Sequence, residues 1–378
     1  MQYDVVVVGA GSMGMSAGYF LAKQGKKVLL LDAFDPPHSN ASHHGETRII
    51  RHAYGEGEGY VPLALQAQKR WEELEQLSGQ SLFLKTGVLN IGERSSPFIS
   101  MLIASAERYQ LPVEILTADE ANQRYHGLNI PAKYVACFES NSGVLKCEAC
   151  IQAYRDLAIA EGATLMPYHK VSDVQLEDNE IHVLANGKTF QAEKLIVSVG
   201  AWSNDLLEML GLNLPVTPVR KTFAWYNAPE TLYGEGNFPA FSFVTQEGIY
   251  YGFPSIDGAG LKIGRHDLGE EQDPNVEISP FIQSVDDADI EQLLSKHMPN
   301  VGSIKFGKTC MYTRTPDEHF LIDRHPSNPN VIIASGFSGH GFKFASAIGE
   351  VVADLALDKP VEFDLSMFTI NRFNEVLR

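Results

Sequence analysis

Gly9-Ala10-Gly11-Ser12-Met13-Gly14 is the first group of residues whose types and spacing suit chemistry. Glycine at 9 and 11 permits a tight turn and lets a pyrophosphate approach the main chain, and Gly14 lets the following helix pack on a sheet. Bare amides at the start of that helix, at Ser12 and Met13, can receive phosphates. Asp32 can accept hydrogen bonds from a ribose diol and would repel a 2′-phosphate. A second glycine loop, Ser335-Gly336-Phe337-Ser338-Gly339-His340-Gly341, lies near the other end of the chain. The helix expected after it has a positive N-terminus, which suits the negative charge a flavin gains on reduction. The first loop alone leaves NAD and FAD both open. Its place near the start of the chain, with a second glycine loop far downstream, favours FAD.

These groups need a scaffold. Val5–Val8 is a continuous β-branched run, as in a parallel strand buried on both faces. A helix is expected through Gln24 with Gly25 as its cap, then a second buried strand at 28–31 ending on Asp32. Residues 33–60, rich in Pro, His, Gly and Arg, read as one long functional loop with at most a helical turn. Helices are expected at 60–78, 98–109, 148–162 and 342–357. Short strands are expected at 171–176, 181–184, 189–192, 194–199 and 331–334, with Asn186-Gly187 as a hairpin turn. Residues 215–310 read as strands and turns. In Leu261-Lys262-Ile263-Gly264-Arg265-His266, period-two geometry puts Lys262, Gly264 and His266 on one face. A symmetric hairpin would set Tyr251 opposite Lys262.

The 378 residues suggest two domains, and 44% hydrophobic with 20% charged residues is ordinary globular composition. A net charge of −17 disfavours nucleic acid and anionic membrane as partners. It leaves room for local cations to hold an anionic small molecule. Four cysteines, 137, 147, 150 and 310, are too few for a disulfide scaffold. Cys147-Glu148-Ala149-Cys150 lacks the second pair that zinc would need, so it reads as two small residues opening a helix. His43, His44, Glu46 and His52 match no common zinc spacing, and no metal is expected. No signal-peptide pattern or membrane-length apolar run is evident, so a cytoplasmic location is expected.

The chain resembles the monomeric sarcosine oxidase family, which includes N-methyltryptophan oxidase. The resemblance runs over essentially the whole length. It is carried by the first glycine loop, Asp32-Ala33-Phe34-Asp35-Pro36-Pro37-His38, Ser42-His43-His44-Gly45-Glu46-Thr47-Arg48 and Arg51-His52-Ala53-Tyr54-Gly55-Glu56-Gly57. It continues in Tyr250-Tyr251-Gly252-Phe253-Pro254, Leu261-Lys262-Ile263-Gly264, Cys310-Met311-Tyr312-Thr313 and Gly336–Phe344. Enzymes of this family oxidise the N-methyl carbon of a secondary amino acid with covalently bound FAD, giving the primary amino acid, formaldehyde and hydrogen peroxide. The resemblance therefore implies one FAD per chain, attached through Cys310. It implies that Arg51 and Lys343 hold a substrate carboxylate, and that Lys262 activates oxygen beside the flavin. Tyr251, His266 and Tyr312 would border the substrate, with His44 and Arg48 near the flavin. Val171, Gly339, His340, Gly341 and Lys343 would contact the cofactor. Ser242 falls where sarcosine enzymes carry a pocket methionine, so its smaller side chain would admit bulkier substrates. A monomer is expected, with an N-methyl amino acid and molecular oxygen as its small-molecule partners.

The expected fold is α/β: a Rossmann-like FAD-binding domain from residues 1–83, 146–212 and 306–378, and a β-sheet-rich substrate domain from 84–145 and 213–305. Both are discontinuous in sequence. Sarcosine is the first substrate expected. Val219–Tyr226 looks more like the N-methyltryptophan enzymes, which keeps N-methyl-L-tryptophan and a broader set of secondary amino acids as alternatives. The competing classes are an NAD-dependent dehydrogenase, which would be colourless, and a non-catalytic flavin-binding protein, whose flavin no substrate would bleach.

Overall fold

The β-branched run at the start of the chain forms the centre of the first sheet. In the computed structural model, which describes residues 2–177 and 180–373, the strand Gln2–Val8 is flanked on both sides by parallel strands. Val28–Leu31 pairs on one side and Lys188–Val197 on the other. The eight-stranded sheet runs in the order 171–176, 181–185, 188–197, 2–8, 28–31, 164–166, with 328–335 and 321–325 joined at its middle. The helix Ser12–Lys23 lies on it and is buried along nearly its whole length. The helices Cys147–Ala160 and Ala345–Ala356 pack against that helix. Cys147 and Cys150 are free thiols in this layer, and burial holds Cys147 up at about 12. They are core residues, as their sequence setting implied.

Asn186 and Gly187 both take positive φ, 47° and 72°, as a type I′ hairpin requires. The two strands expected at 189–192 and 194–199 are one strand, Lys188–Val197. No glycine, proline or asparagine interrupts Ala192-Glu193-Lys194, so the ladder runs on. The last helix is preceded by a 3-10 turn, Phe342–Phe344.

The second sheet has nine strands, in the order 270–271, 217–226, 261–265, 249–253, 240–244, 88–93, 134–139, 113–117, with Ile304–Arg314 paired along 217–226. The domain boundary expected at 306 therefore falls inside a strand. Its register with Thr217–Tyr226, from Thr217 opposite Arg314 to Tyr226 opposite Ile304, carries Cys310 with this sheet. One face of the sheet is apolar: Leu89, Ile91, Ala224, Phe241, Phe243, Leu261 and Ile263 bury against the helices 118–124 and 288–297. Neither helix was expected from sequence. By strand alternation the other face carries Asn90, Ser242, Tyr251, Lys262, Phe223, Cys310 and Tyr312. The last five residues of the range 306–378, and 178–179 of 146–212, lie outside the described residues.

The 33–60 segment is not all loop. Thr47–Ile50 is a strand of a three-stranded sheet with Gly143–Lys146 and Phe83–Leu84, and Glu58–Tyr60 is a 3-10 turn. A four-residue strand whose partner is so distant leaves little periodic trace.

Candidate functional site

The first glycine loop closes tightly on the sheet. Gly9 has φ 89°, and a Cβ there would stand 2.4 Å from the Ser198 carbonyl oxygen. A Cβ on Gly14 would lie 1.9 Å from the Gly9 carbonyl oxygen and 2.5 Å from Ser198 Oγ, so Gly14 serves the helix–sheet contact. Gly11 has nothing within 4 Å of its Cβ direction. The helix that starts at Ser12 has no side-chain cap and no acidic residue in its first turn, which leaves its amides available to an anion. Asp32 is fixed by main chain: Ala10 N donates to Oδ2 at 2.8 Å and Phe34 N to Oδ1 at 2.9 Å.

A cavity of about 840 Å³ starts here and runs to the second sheet. Gly9, Gly11, Ser12, Met13, Asp32, Val171, Arg48, Tyr312, Gly339 and Gly341 line it, which joins both glycine loops in one cleft. His43 also lines it; the side chain is buried and neither ring nitrogen has a partner. Burial lowers its pKa to about 3, so a neutral imidazole faces the cleft. Unsatisfied buried polar groups call for a ligand or water. Open helix amides, a diol-accepting Asp32 and the orphaned His43 all fit a bound dinucleotide.

His340 departs from expectation. Its ring bridges Tyr54 Oη (2.8 Å, through Nδ1) and the Glu318 carbonyl (3.0 Å, through Nε2), and it packs on Phe320. That ring is committed to the core, while the backbone on either side of it lines the cleft. Gly339 has its own reason: a Cβ would sit 2.1 Å from the Tyr312 ring.

The hairpin register also differs. Tyr251 pairs with Gly264, and Lys262 pairs with Phe253. The observed hairpin is symmetric about Ser255–Gly260, a turn closed by Gly260 N donating to Ser255 Oγ, and its centre lies one residue later than a Tyr251–Lys262 pairing needs. The shift is by two residues, so Tyr251 and Lys262 keep one face. Gly264 leaves room for the Tyr251 hydroxyl, which would stand 2.7 Å from a Cβ there. His266 follows, with its ring 5.9 Å from that of Tyr312. Burial holds the His266 imidazole at about 3.

Lys262 is buried among Phe223, Trp225 and Phe253, at 4.7, 5.3 and 4.6 Å from the ring centres. Its ammonium donates to the Gly45 carbonyl, and to Thr47 Oγ1 at 3.0 Å. Burial, then Arg48, draws its pKa down to about 7. Arg48 ties the 42–48 loop by donating to the Ser42, His44 and Thr47 carbonyls. His44 stands 3.7 Å from Glu148, while the His52 ring meets Ser142. His43, His44 and His52 thus differ in their closest contacts, although Glu148 acts on both His43 and His44. Cys310 is buried beside Phe223, Trp225 and Tyr312, and burial raises its thiol while Arg48, Lys262 and Lys221 oppose that rise.

Arg51 and Lys343 are both buried. Arg51 is engaged by Glu56, with Nη2 donating to both carboxylate oxygens at 2.7 and 2.8 Å. Lys343 donates to the His340 carbonyl at 2.9 Å and to Tyr54 Oη at 3.3 Å. Burial, then Arg51, lowers Lys343 to about 7. Burial alone would raise Glu56; Arg51, with smaller help from His340 and Lys343, brings it down to about 2. Sequence reasoning missed this role of Glu56, although it lies in a motif that carried the resemblance. It missed Lys221 as well. Lys221 is opposite Cys310 in register, donates to the His266 and Leu268 carbonyls, and lies 5.3 Å from the Tyr312 ring centre. Its only sequence signal is its place in a strand that alternates toward Phe223.

A glycine-walled cleft joined to a cation-bearing sheet face defines a class. Residues 4–355 match the family DAO, FAD dependent oxidoreductase. The chain is 49% identical over 374 residues to monomeric sarcosine oxidase of Bacillus sp. (strain B-0618), covering 98% of this chain and 96% of that one. It is 41% identical over 376 residues to N-methyl-L-tryptophan oxidase of Escherichia coli (strain SMS-3-5 / SECEC), covering 99% and 100%. The chain belongs to the FAD dependent oxidoreductases and, within them, to the monomeric sarcosine oxidase and N-methyltryptophan oxidase family. L-proline dehydrogenase from P. horikoshii shares the fold, with a TM-score of 0.87 at 23% identity over 99% of this chain and 98% of that one. No helix among the described residues is long and apolar enough to cross a membrane.

Proposed function

We propose that this chain oxidatively demethylates an N-methyl amino acid, with sarcosine as the first substrate, to give the primary amino acid, formaldehyde and hydrogen peroxide. The observation that carries the reading is a pair of buried cations, Arg51 and Lys343, close to Arg48, which lines the cleft together with Tyr312. The 49% identity to a sarcosine oxidase supports it. FAD, when bound, accepts two electrons from the amine and passes them to oxygen. The residues of the chain do the rest. Arg51 offers a planar fork and Lys343 a point charge for the substrate carboxylate, which takes over from Glu56 on the guanidinium. His266, neutral, and the two tyrosines shape a sheltered space for the uncharged amine. Lys262 holds a positive charge where oxygen is reduced, which lowers the energy of the superoxide-like charge separation. One FAD is attached per monomer, through the sulfur of Cys310. The protein acts in the cytoplasm, on small molecules alone.

The purified protein should be yellow, and sarcosine should bleach it without oxygen. Acid precipitation should leave the colour with the protein, while Cys310→Ser should release it to the supernatant. Free flavin from the acid-treated wild type would end the covalent assignment. A colourless protein would end the reading as a whole.

A further inference from the structure

The polar face of the second sheet continues past Ser242 into a buried chain of hydrogen bonds. Glu139 Oε2 accepts from the amides of His52 and Ala53 at 2.9 and 3.0 Å and from Ser142 Oγ at 3.1 Å. Its other oxygen accepts from Asn90 Nδ2 at 3.2 Å. Asn90 Oδ1 accepts from Ser242 Oγ at 2.8 Å. All three side chains are buried, Asn90 completely. The chain begins on the amides that follow Arg51 and ends on Ser242, whose register partner is Tyr251.

The sense of these bonds is forced. Both Glu139 oxygens accept, so Asn90 turns its NH₂ to Glu139 and its oxygen to Ser242. The one hydroxyl proton of Ser242 is then committed to Asn90. What remains for a group in front of it is lone pairs. We propose that Ser242 is a specificity-determining residue that presents a hydrogen-bond acceptor to the substrate side chain, with Glu139 as the positioning residue that sets its sense through Asn90. Among N-methyl amino acids that carry a side chain, those with an O–H or N–H donor are preferred. The inference rests on the function proposed above, which makes the Tyr251 face a wall of the substrate site.

Isosteric pairs test it on the holoenzyme: N-methylserine against 2-(methylamino)butanoate, and N-methyltryptophan against its benzothiophene analogue. The readout is the ratio of kcat/KM within each pair, with sarcosine as reference. In at least one pair the donor should be favoured by roughly 3- to 10-fold, the size of one neutral hydrogen bond. Ser242→Ala should bring that ratio to parity. Glu139→Gln should lower it too. Glutamine can keep its oxygen on the His52 and Ala53 amides and turn its NH₂ to Asn90. Asn90 then flips and donates to Ser242, which takes up one of its two lone pairs and frees its proton to turn toward the substrate. A merely structural effect through Arg51 would scale both members of a pair alike and leave the ratio unchanged. If Glu139→Gln does not fold, Ser242→Ala decides. Parity in both pairs for the wild type, or a ratio that Ser242→Ala leaves intact, overturns the inference. If sarcosine bleaches the flavin and the ratios are at parity, only this inference falls. If neither sarcosine nor any pair member bleaches it, the proposed function falls first.

Discussion

At the 9–32 end of the cleft the contacts on offer are main-chain ones: helix amides, a glycine turn, and a carboxylate whose position the backbone fixes. On the second sheet, which the cleft reaches at Tyr312 and Thr313, they are side chains, brought to one sheet face from strands far apart in sequence. The electrostatics differ as well. Buried cations crowd the second region, at Arg48, Arg51, Lys221, Lys262 and Lys343, with Glu56 as the carboxylate that Arg51 holds. The three lysines are each drawn down to about 7. A chain of net charge −17 thus keeps a positive interior where its substrate would bind. Global charge speaks to macromolecular partners, and the site is governed by local placement.

The comparison breaks most visibly at Lys262. If the second region works through fixed charge, Lys262→Met should slow reoxidation of the reduced enzyme by about 10²- to 10³-fold, the range for losing one preorganised electrostatic contact. Anaerobic reduction should change less. Stopped-flow in two halves checks this, and an effect confined to reduction would reassign the residue. Lysine is cationic below its pKa. Reoxidation by the wild type should therefore slow as pH rises through about 7, and Lys262→Met should flatten that dependence.

Next in size is the carboxylate clamp. Arg51→Ala or Lys343→Met deletes a charge-assisted bond, at about 1.5 to 3 kcal/mol, or roughly 10- to 200-fold in affinity. Inhibition constants of simple carboxylates should weaken in parallel. Glu56→Gln should act in the opposite sense, because it removes the internal competitor for Arg51. N-methyl amines without a carboxylate that react as well as sarcosine would refute the clamp.

The first region breaks through backbone. A methyl at position 14 would stand 1.9 Å from the Gly9 carbonyl oxygen, which cannot move without opening the turn. Gly14→Ala should cost about 1 to 3 kcal/mol of stability by overpacking, seen as a lower Tm, and should reduce flavin content at equal protein. A fully loaded variant with unchanged Tm would show that the turn tolerates the shift.

Legibility in the sequence follows the same division. The glycine loop, its helix, Asp32 and the Asn186-Gly187 turn are local patterns, and the structure reproduces them. The second glycine loop was readable as main chain, but the inward commitment of His340 depends on Tyr54 and Glu318, which no spacing announces. The Tyr251–Lys262 face was legible from period two, and a hairpin centred on Ser255–Gly260 gives the observed register; the expected Tyr251–Lys262 pairing centred it one residue too early. Glu56 and Glu139 escaped notice because an acidic residue on a chain this acidic reads as surface until its partners are seen.

Ser242→Met is the smallest expected effect and the sharpest probe of the sheet face. The substitution removes the hydroxyl that donates to Asn90 and adds a long, unbranched, adaptable side chain opposite Tyr251. Sarcosine carries nothing beyond its glycine core, so an added side chain on this wall leaves its space largely intact. A bulky N-methyl amino acid must place its side chain where the new thioether lies. The ratio of kcat/KM for N-methyltryptophan to that for sarcosine should therefore fall by roughly tenfold, the lower end of what a pocket discriminates per methylene. Loss of the hydroxyl acts in the same direction, because the acceptor it offered to an indole N–H is of no use to sarcosine; Ser242→Ala, which removes the hydroxyl without adding bulk, separates the two contributions. An equal change for both substrates would place Ser242 behind the wall rather than on it, and the substrate side chain would have to be sought nearer Tyr312 and His266.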